Sequence, residues 1–318
     1  MFVICGEALI DIFIENNEQS NSYQFPLNAL VGGSPFNVAI GLARLGQKSA
    51  LLTGLSDDMF GKRLSAVLTQ EGVSQELIVK SKLPTTVAFI EKDENGVPTY
   101  LFLGEGAADR SLLTKDVDLN IDTPVGIHLG SYSIVAQPTA DSLLTLVRRY
   151  AGQSVISLDP NIRAIVEPDM TVWQNRVDEL IPLTDMVKVS DEDLELMYPG
   201  VPPESIIEKW LETGLKLAVL TKGGEGSTLW SSQAKVNTKT PKIKVIDTVG
   251  AGDTYQTALL DSVEGLVSEF GKAWAEKLTA DKLEQIGNYA ASAAAITCSR
   301  QGADLPTKAE ITEFMQSK

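Results

Sequence analysis

The chain has one histidine, His128, and two cysteines, Cys5 and Cys298, among 318 residues. A histidine-built zinc site is therefore not expected, and a Ser-His-Asp triad would have to use His128. No G-x-S-x-G occurs to support such a triad. The two thiols lie far apart in apolar surroundings, which fits core packing in a reducing compartment better than a disulfide framework. Positive charge is also scarce: 27 Lys and Arg against 42 Asp and Glu give a net charge of −15. That argues against nucleic acid and anionic membrane as partners, since both need a basic footprint. No apolar run approaches the ~20 residues that span a bilayer. The start, MFVICGEALIDIF, has no basic n-region and no small-residue cleavage site; it reads as a buried first strand of a cytoplasmic protein. Also missing are G-x(4)-G-K-[ST] and, after the first strand, G-x-G-x-x-G. A bound phosphate would have to do without a Walker lysine, and a dinucleotide-dependent dehydrogenase has little support.

What is present is a soluble globular composition, 43% hydrophobic and 22% charged, in a chain long enough for one large α/β domain or two small ones. Short β-rich runs (SALLTGL, GIHLGSYSIV, SVISLDP, DMVKVS, KLAVLTKGG) alternate with helical patterns ending near glycine. Nearly continuous apolar strands alternating with helices predict a mostly parallel sheet covered on both faces. Two stretches break the rhythm. Residues 16–31 are polar and irregular, and residues 85–104 read as a hairpin turning at Asp93-Glu94-Asn95-Gly96. Both fit either a small β lid or ordinary surface hairpins. One domain over 1–318, with those two segments as its lid, is the simplest organisation.

In open α/β sheets ligands bind at the carboxyl ends of strands, and polar and glycine residues cluster where these runs stop. Asp11 follows the first run. In VGGSPFNVAIGLARLG, Gly32 and Gly33 allow close backbone approach, and Asn37 stands in the first helical turn, as a cap or as a partner for sugar hydroxyls. Asp159-Pro160-Asn161-Ile162-Arg163 follows another run; Arg163 suits a substrate oxygen or a surface ion pair. Thr221, Gly223 and Gly226 form a glycine turn or a seat for a nucleotide. The stretch DTVGAGDTYQTALL (247–260) opens a helix, where free N–H groups and the helix dipole favour an anion. By itself it reads most simply as an aspartate-capped helix, through Asp253 or Asp247. Its alternative is a phosphate cradle beside a proton acceptor.

Taken in order, GEALID, GGSPFNVAIGLARLG, HLGS, DPNIR, KVSDEDLELM, TKGGEG, DTVGAGDT and AASAAAITCSRQGA resemble the PfkB-type, ribokinase-like carbohydrate kinases from Gly6 to about Pro306. Within that family the pattern is most similar to fructokinases. The resemblance implies a three-layer α/β sandwich with a mostly parallel central sheet and a small β lid. It implies ATP, Mg²⁺ and K⁺ as cofactors, a small-molecule sugar as partner, and a homodimer formed through the lid. Asp253 would be the base that takes the proton of the attacking hydroxyl, with the amides of Gly250, Ala251, Gly252 and Asp253 forming the anion hole. Asp11, Gly32, Gly33, Asn37 and Arg163 would hold the sugar. Asn161, Ser190, Thr221, Gly223, Gly226, Gly250 and Gly252 would face the nucleotide. Asp193 would act on Mg²⁺ through water, and Asp247 with the Val249 carbonyl would bind the monovalent cation beside the loop near Ala303. Ser190 and Asp193 stand where many relatives carry Asn and Glu. Ala291 stands near the adenine, where relatives often carry Asn or His. Sugar-acid kinases of the family tend to carry a Tyr-Arg pair where this chain has Leu103-Gly104, which favours a neutral sugar, with Arg110 nearby in sequence. Rival readings are a 2-keto-3-deoxygluconate, ribose or nucleoside kinase, and a silent sugar or nucleotide sensor on the same fold.

Overall fold

A computed structural model describes residues 1–14, 23–92 and 98–317. In chain order its strands and helices are β1 (Phe2–Cys5), β2 (Leu9–Ile14), β3 (Leu27–Gly32), α1 (Ser34–Arg44), β4 (Ser49–Ser56), α2 (Met59–Gln70), β5 (Ile78–Ser81), β6 (Val87–Lys92), β7 (Pro98–Leu103), β8 (Gly126–Gly130), α3 (Thr139–Tyr150), β9 (Val155–Asp159), α4 (Met170–Leu180), β10 (Met186–Ser190), α5 (Asp191–Met197), α6 (Pro203–Glu212), β11 (Leu217–Thr221), β12 (Ser227–Trp230), β13 (Lys235–Thr238), α7 (Ala251–Phe270), α8 (Ala280–Cys298) and α9 (Lys308–Gln316).

Nine strands form the large sheet in the order β13-β12-β11-β10-β9-β8-β1-β4-β5. From β11 to β5 all neighbours are parallel, while β12 and β13 add an antiparallel edge that the sequence patterns did not indicate. The period-2 rule explains why the central strands look uniformly apolar. Phe2 and Ile4 of β1 point into one core with α1, α7 and α8, whereas Val3 and Cys5 point into a second core with α3, α4 and α6. Leu217 and Val219 of β11 divide from Ala218 and Leu220 in the same way. Helices thus cover both faces of the sheet.

The small sheet has the order β3-β2-β6-β7, with β2 and β6 parallel and both outer pairs antiparallel. It corrects the reading of MFVICGEALIDIF as one strand. The chain leaves the large sheet at Gly6, whose φ of +139° only glycine adopts readily. Leu9–Ile14 then becomes a strand of the small sheet, so Asp11 stands within β2 and not at the end of a central strand. Residues 85–104 do contain an antiparallel pair, β6 and β7. The turn placed at Asp93-Glu94-Asn95-Gly96, and residues 16–22 of the other irregular segment, lie outside the described residues.

Candidate active site

The N-terminus of α7 meets the N-terminus of α1 at the carboxyl end of the large sheet. Gly250 precedes α7 in the left-handed region, φ +77°, and a Cβ there would lie 2.6 Å from Ala303 Cβ. Glycine is required on both counts. No side chain caps α7, which overturns the capping reading of Asp253 and Asp247. The buried Asp253 carboxylate turns instead to α1. Ser34 Oγ donates to its Oδ1 at 2.6 Å and Asn37 Nδ2 to its Oδ2 at 2.7 Å. Two donors on separate oxygens fix the plane of the carboxylate and leave each oxygen a further lone pair. Asn37 was expected to face sugar hydroxyls; its amide donates to Asp253. The first turn of α7 leaves the Gly252 and Asp253 N–H groups without an intrahelical acceptor.

Below this turn lies a buried cation the sequence reading passed over. Lys188 of β10 is 4% exposed, and its Nζ lies 2.9 Å from Asp159 Oδ2 at the end of β9. A Cβ on Gly252 would come within 3.7 Å of the same Nζ. Neither Asp159 oxygen has a well-directed hydrogen bond. Burial pushes the Asp159 carboxyl up to about 6, against the opposing pull of Lys188, with Asp193 and Asp253 adding to the rise. A lysine inside an otherwise apolar strand, Met-Val-Lys-Val, was the available signal.

The remaining predicted residues divide by location. Asp193 Oδ1 accepts the Ile162 amide at 2.9 Å, which latches the 159–163 loop onto α5. Asn161 in that loop holds a φ of +43°. Ser190 Oγ accepts the Asp193 amide at 3.0 Å and so caps α5. Thr221 pairs in register with Ser190 at the end of β11, followed by Gly223 and Gly226, with φ +49° and +106°. Ala291 is buried in α8. Asp247 joins two loops, accepting the Val249 amide at 3.1 Å and the Gly302 amide at 2.9 Å. Among the described residues no group of three or more His, Cys, Asp or Glu side chains is placed to hold a metal ion.

On the small-sheet side, a Cβ on Gly32 would collide with Asp11 Oδ2, and one on Gly33 (φ +108°) would lie 2.7 Å from the Glu7 carbonyl. Burial lifts the Asp11 carboxyl to about 6, opposed by Arg163 and reinforced by Asp253. Arg163 itself is exposed. Glu7, beneath α1, is fully buried and accepts Ser133 Oγ at 2.5 Å. Burial raises its carboxyl to about 7 despite the hydroxyls of Ser133 and Ser131. Between the unfolded value near 4.5 and this folded value, the native state holds a proton that the unfolded chain has lost. Stability therefore falls as pH rises through that window. The Glu7→Gln variant, which keeps a Ser133 partner, should flatten the fall and raise Tm at pH 8 by several degrees while changing little at pH 5. Thermal melts from pH 4.5 to 8 check this; parallel profiles for the two proteins would refute it.

The comparisons with known proteins agree on one family. The model of the pfkB family of carbohydrate kinases matches residues 1–310. A fructokinase from Rhizobium leguminosarum bv. trifolii is 36% identical over 264 residues, covering 83% of this chain and 80% of that protein. The crystal structure of a fructokinase with bound ATP from Xylella fastidiosa superposes with a TM-score of 0.87 at 23% identity, over 99% of this chain and 98% of that one. A fructokinase from Vibrio cholerae O395, solved with fructose, ADP and calcium ion, superposes at 0.84 and 23% identity over 98% of each chain.

Proposed function

This chain belongs to the pfkB family of carbohydrate kinases and is a sugar kinase; on that premise we propose that it transfers the γ-phosphoryl group of ATP to a hydroxyl of fructose. The observation that carries the reading is the buried Asp253 carboxylate, held by Ser34 and Asn37 one turn into a helix whose entry is Gly250-Ala251-Gly252. Asp253 accepts the proton of the attacking hydroxyl. The free amides of Gly250, Gly252 and Asp253 receive the charge of the transferring phosphoryl group, while the Ala251 amide, expected to join them, donates to the Thr248 carbonyl at 3.2 Å; the small side chains of the loop keep the free amides accessible. Lys188, beneath Gly252, supplies a positive charge to the same place. Phosphoryl transfer asks little covalent help from a protein, so positioning and charge compensation suffice.

The residues present fit a nucleotide with its metal ion. The glycine-lined helix entry, the incompletely satisfied Asp159 carboxylate and buried Lys188 form a polar floor with unused bonding capacity. Mg²⁺ carried with ATP supplies neutralisation of the phosphate charge. Asp193 would order its water shell. Asn161, Ser190, Thr221, Gly223 and Gly226 line the nucleotide side in this reading. Asp11, Gly32, Gly33, Asn37 and Arg163 line the sugar side. Asp247 and the Val249 carbonyl hold K⁺, supported by the way Asp247 ties the 247–250 loop to Gly302.

Residues 1–318 are read as one catalytic domain with the small sheet as lid. The outer strands of that sheet expose Leu27, Leu101 and Leu103, between 50% and 57%. A second copy of the chain would cover them, and a monomer mass by light scattering at micromolar concentration would sink that part of the reading. Among the described residues no helix is long and apolar enough to cross a membrane, and a cytoplasmic setting belongs to the proposal.

The test is ADP release from Mg-ATP, with K⁺ present and replaced, over fructose, 2-keto-3-deoxygluconate, ribose, adenosine and glucose. The proposal expects turnover on fructose, faster with K⁺. Turnover confined to the keto-acid would overturn the sugar assignment and keep the mechanism. Sugar binding without turnover on any acceptor would favour a sensor.

A further inference from the structure

Arg110 has no counterpart in the roles assigned so far, yet it is among the most constrained cations of the fold. It closes a short turn, Ala108–Arg110, between the end of β7 and the loops leading to β8. Its guanidinium carbon lies 5.1 Å from the centre of the Phe102 ring and 4.9 Å from that of Tyr132. The two rings meet edge to face, with centroids 5.3 Å apart at 79°. Such a clamp fixes the plane of the guanidinium and adds cation–π attraction. Nε and Nη2 are nevertheless buried, and among the described residues neither has a hydrogen-bond acceptor.

The adjacent carboxylate does not fill the need. Asp109 is buried and spends its oxygens on Thr86 Oγ1, at 2.5 Å, and on Tyr132 Oη, at 2.6 Å. A glycine makes the room for Arg110. A Cβ at Gly104 would lie 2.5 Å from the Phe102 ring and 3.1 Å from Arg110 Nη2. Buried N–H donors left unpaired cost stability and call for an explanation. Here a fixed pair of donors is held by both the small sheet, through Phe102, and the large sheet, through Tyr132 just beyond β8.

A chain of contacts links that position to the acceptor side of the site. Ser133, next to Tyr132, bonds Glu7. Gly6 packs so closely on Ser133 and Pro35 that a Cβ there would lie 2.9 Å from Ser133 Oγ and 2.5 Å from Pro35 Cγ. Pro35 follows Ser34, the donor to Asp253. The nearby carboxylates Glu7 and Asp109 both have raised pKa values through burial. A planar two-donor cation is what this acid-lined end has to offer an oxygen-bearing ligand.

We propose that Arg110 is a specificity-determining residue for the acceptor, donating Nε–H and Nη2–H to oxygens at the end of the sugar remote from the hydroxyl that Asp253 deprotonates. The inference rests on the sugar-kinase reading of the site. An arginine fork suits two adjacent oxygens, as on an anomeric carbon and its neighbour, in a way an ammonium cannot match. Loss of such a contact weakens acceptor binding and leaves the nucleotide side untouched.

The experiment compares wild type, Arg110→Lys and Arg110→Met in steady-state kinetics on whichever acceptor the wild type turns over, beside thermal melts of all three. Expected for Arg110→Met is a rise of at least tenfold in KM for the acceptor, with KM for ATP unchanged and kcat within about threefold. Arg110→Lys should fall between, keeping charge but not the fork. The wild type should also lose affinity for acceptor analogues deoxygenated at the remote end, and Arg110→Met should not distinguish them from the parent sugar. An unchanged acceptor KM, equal rises for acceptor and ATP, or a variant that still discriminates the deoxy analogue would overturn the inference. Should Arg110→Met not fold, the lysine variant and the wild-type analogue series decide it. A wild type that phosphorylates no acceptor overturns the kinase reading instead, so the two failures are distinct.

Discussion

Replacing Asp253 with Asn should lower kcat by about a thousandfold, roughly 4 kcal/mol of transition-state stabilisation, with the fold intact. Asparagine keeps the size of the side chain and one carbonyl oxygen to accept from Ser34 or Asn37, but it cannot take a proton. The effect belongs in the chemical step, because apart from Asn37 and the attacking hydroxyl itself the contacts expected to hold acceptor and nucleotide lie elsewhere. KM for either substrate should move by less than threefold, and circular dichroism and Tm should stay near those of the wild type. Single-turnover kinetics separate the step from product release. A variant retaining more than a tenth of the activity would show that the carboxylate only positions Ser34 and Asn37, and that some other group accepts the proton.

The second large effect is expected at the buried pair beneath the helix entry. Lys188→Met leaves the Asp159 carboxylate in a low-dielectric site with no cation at 2.9 Å. Breaking a buried ion pair from one side costs about 3–5 kcal/mol, so this variant should melt many degrees lower. It should also lose activity by two orders of magnitude or more if the lysine reaches the transferring phosphoryl group. The double variant Lys188→Met/Asp159→Leu separates the two consequences. With neither charge left, stability should recover most of the loss, while activity should not return. Recovery of both would assign the pair to structure alone. Urea unfolding together with kcat on each protein decides between these outcomes.

The features legible in the sequence were those written in local pattern. Continuous apolar strands between glycine-ended helices gave the covered parallel sheet, because burial on both faces suppresses alternation. The crowding of Gly250, Ala251 and Gly252 before an apolar helix marked the helix entry, because close approach demands small residues and φ of +77° demands glycine. What escaped were features set by long-range pairing. Leu9–Ile14 looks like a continuation of Phe2–Cys5 in hydropathy, and only its partners, β3 and β6, place it in another sheet. Ser34 reads as one more helix-start serine until Asp253, 219 positions later, is brought to it. Lys188 carries a local signal, a lysine within an apolar strand, but its pairing with Asp159 shows only in their joint burial. Capping was the more economical reading of Asp253, and it failed because Gly250 enters the helix without a side-chain cap. That leaves the carboxylate free to face α1.

The place of β1 between β8 and β4 has a consequence for how the chain is made. β1 precedes both of its partners in the chain and becomes an inner strand, paired on one side to residues 49–52 and on the other to residues 126–129. Until the second partner has been synthesised, that edge is open to solvent and to other chains. The bonds from Ser34 and Asn37 to Asp253 close loops of 219 and 216 residues, among the most entropically costly contacts of the fold. A nascent chain can therefore complete much of its sheet before Asp253 is joined to Ser34 and Asn37, and this corner of the candidate site is assembled after the architecture that supports it.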